Sequence, residues 1–398
     1  MVVPNSIKSF VAQIKIGSRY FLPKIYFILK KYNIYMELNE GQKKAVETAI
    51  KQFYAGKQYV VIAGRAGTGK TTCVSHIIKE LGVKSVCYCA YTGKACNVLA
   101  KKGNQPASTI HHLIYEWHYS KKAKKLVPVK KHSINYSIVV VDECSMIGEH
   151  LLKELLSYKK PFFIFLGDTN QIPQVKEQRN FLLDEPHVTL TQIERQNLES
   201  NIIQLSAKVC DGEEIPYSLI SPDTRIYNYQ ELSDSMLSWA DQIICSTNNL
   251  RKQLNQHMRE LQGFEGGPKV GDKIICMKND WDTQDSLGYP IINGTIGYIR
   301  KIKYRNYFTI ETDYGSFIET KVDLKFFENE QLPDRPVSGI QYWTFGYAVS
   351  AWKAQGSEWG KVLVLEEKFP REELLHRQVL YTAMTRASDK LVLIRGVK

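Results

Sequence analysis

The residues with the clearest chemical meaning lie in the stretch GRAGTGKTT, which occupies residues 64–72. Two glycines, Gly64 and Gly69, enclose four residues and are followed by Lys70 and Thr71. Glycines let backbone N–H groups approach phosphate oxygens, the lysine reaches the terminal phosphates, and the threonine hydroxyl binds Mg²⁺. The stretch therefore predicts a nucleoside triphosphate site. Its predicted contacts are Gly64, Ala66, Gly67, Thr68, Gly69, Lys70, Thr71 and Thr72.

Polar side chains that suit hydrolysis of a triphosphate follow two further apolar stretches. Asp142 and Glu143 come directly after SIVVV, and Gln171 comes shortly after PFFIFL. A carboxylate at the end of a buried strand can hold Mg²⁺, and a second one beside it can position and polarise the attacking water. An amide near the γ-phosphate changes its hydrogen-bond partner when that phosphate leaves, so we predict that Gln171 senses it. The set favours hydrolysis over transfer to an acceptor, because we find no acceptor pocket in the sequence.

Parallel strands are needed to position these side chains, and the sequence supplies two series of candidates. Short apolar runs alternate with helical patterns, which is typical of strands buried on both faces of a parallel sheet. The first series is residues 59–63, 85–90, 137–141 and 161–166, and the second is 242–245, 361–365 and 390–394. Two series predict two α/β domains. Between Gly271 and Phe345, apolar and polar residues alternate around turn residues, which predicts a small antiparallel β insert.

The positive charge of the chain is concentrated in two segments. The formal net charge is +12, and residues 1–36 and 117–132 each contain six basic residues and no acidic one. This concentration indicates contact with a polyanion, with a solvated lysine-rich surface as the alternative. The sequence has no apolar run of about 18 residues, so we expect no membrane span. The eight cysteines contain no C-x-x-C pair, so we expect neither a zinc site nor a disulfide framework, and a cytoplasmic location.

Taken in order, several segments resemble those of superfamily one DNA helicases of the RecD and phage Dda type, group 1B. These segments include LNEGQKKAV, AYTGKACNVL, STIHHLI, GDTNQIPQV, IERQN, GYAVSAWKAQGSEW and LYTAMTRA. The resemblance covers roughly residues 37–398. It implies an α/β fold of two RecA-like parallel-sheet domains, 37–192 and 193–398, after a basic extension at 1–36. It also implies a β-hairpin (pin) insert at about 113–136 and an SH3-like β insert at about 293–345.

The resemblance assigns further residues to the nucleotide site. Gln42 would read adenine, Gly356 and Glu358 would contact the nucleotide, and Arg195 and Arg386 would reach the γ-phosphate from the second domain. A guanidinium presents the forked donors that this phosphate needs. The implied cofactors are ATP and Mg²⁺. The implied catalytic residues are Lys70, Glu143, Gln171, Arg195 and Arg386.

The same resemblance places single-stranded DNA across both domains. Hydroxyls and amides suit phosphates, and aromatic rings stack on bases of any sequence. Trp352 stands where the family usually has histidine and Tyr91 where it usually has proline, so we expect these two contacts to differ. A packed core histidine is the alternative for His111, and in the pin either Trp117 or Tyr119 would cap the last base pair. The predicted contacts are Tyr91, Thr92, Thr109, His111, Trp117, Thr247, Asn248, Ser350, Trp352 and Lys353.

These observations predict an ATP-dependent DNA helicase that translocates on single-stranded DNA. The resemblance implies 5′-to-3′ polarity and a role in DNA replication, recombination or repair. We expect a monomer whose partners are single-stranded and forked duplex DNA, with replication or recombination proteins as further partners. Two alternatives stay open. One is an RNA-directed helicase or NTPase of the same superfamily, and the other is an ATP-gated adaptor that binds DNA and recruits replication partners.

Overall fold

Six parallel strands form the first of three six-stranded sheets. The computed structural model describes residues 38–120, 125–172, 181–194, 200–333, 337 and 339–397. We call residues 41–194 the first lobe. Its strands are β1 (Tyr59–Gly64), β2 (Val86–Ala90), β3 (Ala107–Thr109), β4 (Tyr115–Ser120), β5 (Lys125–Lys130), β6 (Ile138–Val141), β7 (Phe162–Gly167) and β8 (Val188–Leu190). The sheet has the order β3-β2-β6-β7-β1-β8, and all of its neighbouring strands are parallel.

The central strands of this sheet are apolar along their whole length because both faces are covered. Every residue of β6 and β7 is buried, as expected for parallel strands between helices. Strands β4 and β5 stand apart as an antiparallel hairpin, with pairs running from Tyr115–Lys130 to Ser120–Lys125. The helices of this part of the chain are α1 (Glu40–Tyr54), α2 (Lys70–Leu81), α3 (Gly93–Lys101), α4 (Ile110–Ile114), α5 (Glu149–Leu156) and α6 (Phe181–Asp184).

Residues 200–397, the second lobe, contain a second parallel sheet and an antiparallel one. The strands are β9 (Leu219–Ile220), β10 (Thr224–Asn228), β11 (Gln242–Cys245), β12 (Lys273–Cys276), β13 (Asp280–Gln284), β14 (Pro290–Ile291), β15 (Ile296–Lys303), β16 (Tyr307–Thr312), β17 (Phe317–Val322), β18 (Ile340–Gln341), β19 (Trp343–Phe345), β20 (Ala348–Ser350), β21 (Trp359–Glu367) and β22 (Ala387–Val397). The helices are α7 (Asn201–Asp211), α8 (Asp234–Trp239), α9 (Asn248–Leu261), α10 (Phe326–Asn329), α11 (Ala351–Ala354) and α12 (Glu373–Met384). Among the described helices, none is long and apolar enough to cross a membrane.

The second parallel sheet has the order β20-β11-β21-β22-β10-β9. Its strands are parallel except for the short edge pair of β9 and β10. The five parallel strands therefore follow the same spatial pattern as the first five strands of the first sheet. Two parallel sheets confirm the predicted α/β fold with two RecA-like domains. The two series of apolar runs predicted from the sequence did not include the short strands β3, β8, β9 and β20, nor strand β10.

The antiparallel sheet has the order β18-β17-β16-β15-β12-β19, in which only the short pair of β17 and β18 is parallel. Ile299, Phe308, Ile310 and Trp343 are fully buried between its strands. Strand β12 precedes residue 293 and pairs with both β15 and β19, so the sheet begins earlier along the chain than the insert expected at 293–345. The basic extension at residues 1–36 lies outside the described residues.

Candidate functional site

The glycine-rich loop connects the buried strand β1 to the first turn of α2. Gly67 and Gly69 have left-handed backbones, with φ of 79° and 80°, a conformation that glycine adopts without steric cost. The Thr68 hydroxyl donates to the Arg65 carbonyl at 2.8 Å, a hydrogen bond within the loop that stabilises its conformation. The Lys70 ammonium donates to the carbonyls of Gly64 at 2.6 Å and of Arg65 at 3.1 Å. Thr71 and Thr72 follow in the first turn of α2, where the helix N-terminus favours anions.

Gln42 and Glu194 meet beside this loop. Nε2 of Gln42 donates to the Thr68 carbonyl at 3.2 Å and to Oε1 of Glu194 at 2.8 Å. The Glu194 N–H donates to the Gly67 carbonyl at 2.9 Å. A Cβ at Gly69 would lie 1.9 Å from Oε1 of Glu194, so a larger residue here would have to displace that side chain as well as adopt a strained backbone with φ of 80°. Sequence analysis did not single out Glu194, although its neighbour Arg195 was predicted. Arg195 lies outside the described residues.

The two predicted carboxylates follow β6 at the same edge of the sheet. Glu143 has φ of 52°, a left-handed conformation that is strained for a residue with a side chain and is common at functional sites. Its N–H donates to Oδ1 of Asp142 at 2.9 Å. Burial raises the pKa of Asp142, repulsion by Glu143 adds to the rise, and Lys70 partly offsets it. The electrostatics of this edge therefore favour a bound cation.

Arg386 extends from the second lobe to this edge of the first lobe. Its side chain is anchored by Nε, which donates to the Thr382 carbonyl at 3.0 Å, and by Nη1, which donates to the Ser357 carbonyl at 3.3 Å. Nη1 also lies 3.6 Å from Oε1 of Glu143. Arg386 is only 5% exposed, so the guanidinium is enclosed between the lobes. The structure thus brings Arg386 and Glu143 together across one crevice.

Gln171 lies in the same crevice, in the turn after β7. It is 7% exposed, and its Oε1 atom has no hydrogen-bond partner among the residues that the structure describes. The next residue, Ile172, is held by the second lobe. Its N–H donates to Oγ1 of Thr382 at 3.1 Å, and its carbonyl accepts from Nε2 of Gln355 at 2.6 Å. The turn that presents Gln171 is therefore fixed by both lobes.

The other two predicted nucleotide contacts of the second lobe also face the first lobe. A Cβ at Gly356 would lie 3.4 Å from Sδ of Met146 and 3.6 Å from Oγ1 of Thr92. Glu358 forms an ion pair with Lys102 at 3.2 Å. Both residues therefore take part in the contact between the lobes, and a role at the nucleotide stays a prediction for each.

The four hydroxyl residues predicted to contact DNA share one structural position. Each side-chain oxygen accepts the N-capping hydrogen bond of a helix that follows one of the two strands at one side of a parallel sheet, the edge strand or its neighbour. Thr92 follows β2 and Thr109 ends β3 in the first lobe, whereas Thr247 follows β11 and Ser350 ends β20 in the second. Thr247 differs because its hydroxyl also donates to Oε1 of Glu367. Asn248 lies at the start of α9, where its Oδ1 accepts from Nε of Arg251 at 3.3 Å.

The predicted aromatic and histidine contacts pack partly into the lobes. The Tyr91 and His111 rings meet edge to face, with centroids 5.5 Å apart, and Tyr91 packs against the core of the first lobe. Burial lowers the pKa of His111 to about 4, so this histidine is neutral at pH 7. Trp352 is half-buried against the core of the second lobe. Trp117 lies on β4 opposite Pro128, and the wedge role predicted for it or for Tyr119 depends on side chains outside the described part of the chain.

Lys353 lies at the end of α11 and is less available than an exposed lysine. Its ammonium donates to Oδ1 of Asn293. Burial lowers the pKa of Lys353 to about 8, with Arg251 contributing in the same direction. Near pH 8 its charge is therefore sensitive to the surroundings, and an approaching phosphate would restore it.

Comparison with known proteins gives matches over most of the chain. A family model described as an AAA domain matches residues 37–223, and a UvrD-like helicase C-terminal domain matches residues 345–394. The ATP-dependent RecD2 DNA helicase of Deinococcus radiodurans is 31% identical over 367 residues, which are 84% of this chain and 47% of that protein. The ATP-dependent DNA helicase dda of Enterobacteria phage T4 is 32% identical over 196 residues, 44% of this chain and 43% of that protein. The chain thus spans about half the length of these relatives.

Among solved structures, the Pif1 helicase of Candida albicans is 18% identical, with a TM-score of 0.49 over 91% of this chain and 95% of that one. A Pif1 structure described as the basis for DNA unwinding at forked dsDNA by two coordinating helicases is 19% identical. It has a TM-score of 0.49 over 90% of this chain and 92% of that one.

Proposed function

Because this chain belongs to superfamily 1B of the helicases, we propose that it is an ATP-dependent DNA helicase that moves along single-stranded DNA. The observation that carries this proposal is the contact of Arg386 with Glu143 between the lobes. ATP bound at the glycine-rich loop would lie in the same crevice and would join the lobes through its terminal phosphate. Hydrolysis would then release the lobes from each other, and alternate closing and opening would move the protein along the strand.

The residues present fit ATP and Mg²⁺. The left-handed backbones of Gly67 and Gly69 shape the loop, and Lys70 belongs to this loop, which has the pattern that cradles phosphates. The hydroxyl of Thr71 and the carboxylate of Asp142 are the oxygen ligands that Mg²⁺ prefers. When bound, Mg²⁺ neutralises the charge that develops on the phosphate oxygens. Gln42 is held at the loop by Thr68 and Glu194, a position that supports base recognition.

Three side chains would act on the terminal phosphate and the attacking water. Glu143 would accept the proton of the water, and Arg386 would stabilise the charge of the transition state. Gln171 suits a place between them, because its Oε1 has no hydrogen-bond partner among the described residues and can accept from a donor such as water. Its Nε2 is the atom that can donate to the phosphate. Arg195 is proposed as a second arginine at this phosphate on the basis of the family resemblance.

The strand ends of the two sheets support a path for single-stranded DNA over both lobes. The caps of Thr92, Thr109 and Ser350 use the hydroxyl oxygen as acceptor, so each hydroxyl proton can be donated to a phosphate. Helices α3 and α9 start at these ends, and helix N-termini attract phosphates. Tyr91 and Trp352 are half-buried and would stack on bases with their remaining surface. The hairpin of β4 and β5 would separate the duplex, with its lysines near the phosphates.

We further infer 5′-to-3′ movement, action on forked duplex DNA as a monomer, and a cytoplasmic location at sites of replication, recombination or repair. The relatives are described as DNA helicases, which supports action on DNA, and the polarity is inferred from the family resemblance. Replication or recombination proteins would be additional partners. An RNA-directed enzyme and a slowly hydrolysing adaptor are the alternatives that the experiment below separates from this proposal.

The proposal is tested with wild type, Lys70→Ala and the exposed control Lys57→Ala. ATP hydrolysis is measured with matched DNA and RNA oligonucleotides, and unwinding is measured on duplexes with a 5′ tail, a 3′ tail or blunt ends. We expect DNA-stimulated hydrolysis and unwinding of the 5′-tailed duplex by wild type and Lys57→Ala, and neither by Lys70→Ala. Unwinding by Lys70→Ala would refute the nucleotide site. Greater stimulation by RNA would favour the RNA-directed enzyme, and turnover below about one per second with saturating DNA would favour the adaptor.

A further inference from the structure

One tyrosine hydroxyl joins three segments around the glycine-rich loop. Oη of Tyr381 accepts a hydrogen bond from the Ala66 N–H at 2.8 Å and donates to Oδ2 of Asp168. Tyr381 is 1% exposed and Asp168 is 2% exposed, so water cannot readily replace either partner. Burial and the nearby Asp168 carboxylate raise the pKa of Tyr381. The hydroxyl therefore keeps the proton that it donates.

The three segments are the ones that a nucleotide-driven motor has to coordinate. Ala66 belongs to the glycine-rich loop. Asp168 opens the turn that presents Gln171, whose N–H donates to the Asp168 carbonyl at 3.3 Å. Tyr381 lies on α12, and Arg386 follows the end of this helix. A single hydroxyl thus touches the loop and the turn in the first lobe from the helix that leads to the arginine.

A second contact attaches the neighbouring loop residue to the second lobe. Nη1 and Nη2 of Arg65 donate to the two carboxylate oxygens of Asp211, at 3.0 and 2.5 Å. Such two-point contacts fix orientation as well as distance. Asp211 is the last residue of α7, which packs against α12. Consecutive residues of the loop are therefore held by two packed helices of the second lobe.

We propose that Tyr381 and the Arg65–Asp211 pair form a direct connection through which the glycine-rich loop transmits its nucleotide state to the second lobe. Tyr381 is a positioning residue in this scheme and performs no chemistry itself. If the loop moved away from α12, the buried Asp168 carboxylate and the half-buried Ala66 N–H would lose this partner, which is unfavourable. The loop, the Gln171 turn and α12 therefore move together. This connection acts in addition to Arg386, and the inference rests on the proposed function.

The connection is tested by the coupling between nucleotide and DNA, which is reciprocal. The dissociation constant of a fluorescent, non-hydrolysable ATP analogue is measured with and without an oligo(dT) strand, and the ratio of the two values is the coupling factor. Tyr381→Phe keeps the buried ring and removes the hydroxyl. Tyr347→Phe is the matched control, because Tyr347 also donates from a buried site to an aspartate, Asp272 at 2.9 Å, within the second lobe.

We expect Tyr381→Phe to reduce the coupling factor at least about threefold and Tyr347→Phe to leave it near the wild-type value. A merely structural role of the hydroxyl would lower the unfolding midpoint of both variants and leave the coupling factor of both unchanged. An unchanged coupling factor in folded Tyr381→Phe would overturn the inference. Wild type that binds both ligands without coupling, or fails to bind one, would overturn the proposed function together with it.

The Arg65–Asp211 pair provides a test that does not depend on a buried side chain. Asp211→Arg should reduce the coupling factor because two cations then face each other, and the exchange Arg65→Asp with Asp211→Arg should restore it. Restoration would support the connection even if Tyr381→Phe did not fold. Equal coupling in wild type and folded Asp211→Arg would overturn the contribution of this pair.

Discussion

Nη1 of Arg386 lies 3.6 Å from Oε1 of Glu143, so a guanidinium of the second lobe faces the carboxylate proposed to activate water. The two residues are supplied by different sheets and meet only because the lobes share a crevice. In the proposed reaction, Arg386 would stabilise charge on the phosphate while Glu143 would take the proton of the water. Each therefore contributes to the same step from its own lobe.

Removal of the cross-lobe arginine is expected to stop turnover. Arg386→Ala should lower the DNA-stimulated kcat by about a thousandfold or more, because arginines at a transferred phosphate contribute on that order. Arg300→Ala is a suitable control, since Arg300 pairs with Glu311 on the antiparallel sheet. Steady-state ATP hydrolysis measures the effect. A decrease of less than about tenfold would contradict the role of Arg386.

Replacement of Gln171 by leucine should separate activity from stability. The Oε1 atom of Gln171 is buried and has no hydrogen-bond partner in the part of the chain that the structure describes, so Gln171→Leu removes a group that is unsatisfied there and should leave the unfolding midpoint unchanged or raised. Unwinding should be lost, because leucine can bond neither water nor phosphate. Gln58→Leu should behave in the opposite way, since Nε2 of Gln58 donates to the carbonyls of Leu156 and Tyr158. Thermal unfolding measures the effect on stability, and an unwinding assay measures the effect on activity. Full unwinding by Gln171→Leu would exclude the sensor role.

Glu194→Gln is expected to strengthen nucleotide binding. The Glu194 carboxylate lies against Gly69, where the negative charge of a triphosphate has to be accommodated. Neutralising one like charge nearby should lower the Kd by roughly threefold to tenfold, or about 1 kcal/mol. Glutamine can still accept from Gln42. Equilibrium titration with an ATP analogue measures the change, with exposed Glu185→Gln as control, and weaker binding would instead identify Glu194 as a nucleotide ligand.

His111 should make folding stability depend on pH below neutrality. Its pKa is lowered to about 4 by burial, against an ordinary value of 6.5, and Glu154 opposes the shift; the Tyr91 and Tyr115 rings also face it. Between these two values the unfolded state binds the proton and the folded state does not. The contribution of neutral, buried His111 to the free energy of unfolding is therefore fully present above pH 6.5. It is lost as the pH falls towards 4, which lowers the free energy of unfolding by on the order of 1–3 kcal/mol.

Urea unfolding of wild type and His111→Gln at pH 7.0, 5.5 and 4.5 tests this dependence. Because other groups titrate in both proteins, the difference between the two curves isolates His111. The difference should shrink as the pH falls, and the exposed His132→Gln control should follow wild type. Parallel curves for wild type and His111→Gln would show that His111 does not titrate in this way.

The two sheets were readable from the sequence wherever strands are long and wholly apolar. IVVV and FFIFLG are buried at every position, and the glycine-rich stretch between β1 and α2 has a backbone that its residue types require. Strand β3 and strand β20 have three residues each, too few for a periodic pattern. Strand β10, TRIYN, alternates in burial at its start, so it lacks the wholly apolar run that marks the central strands.

Some contacts between residues that are far apart in the chain were beyond the reach of the sequence. Gln42 meets Glu194 and Tyr381 meets Asp168 across long stretches of chain, and no local propensity determines which distant side chains meet. The hydroxyl residues were found as polar groups after strands, but their capping role depends on where each helix begins. Thr247 is an example, because its hydroxyl donates its hydrogen bond to Glu367, a residue that comes close only in the folded sheet.

The parallel sheets of the two lobes share one strand order, but the two lobes contribute different parts to the proposed function. In both lobes, β-strands are followed by helices with a hydroxyl residue at the N-cap, so each lobe offers a similar surface for the proposed contact with single-stranded DNA. Only β1 leads into the glycine-rich loop, whereas its counterpart β10 leads into a short 3₁₀ turn, Tyr229–Glu231. Only the first lobe therefore carries the proposed nucleotide site. In the proposed function, nucleotide binding would move the second lobe only through its contacts with the first lobe.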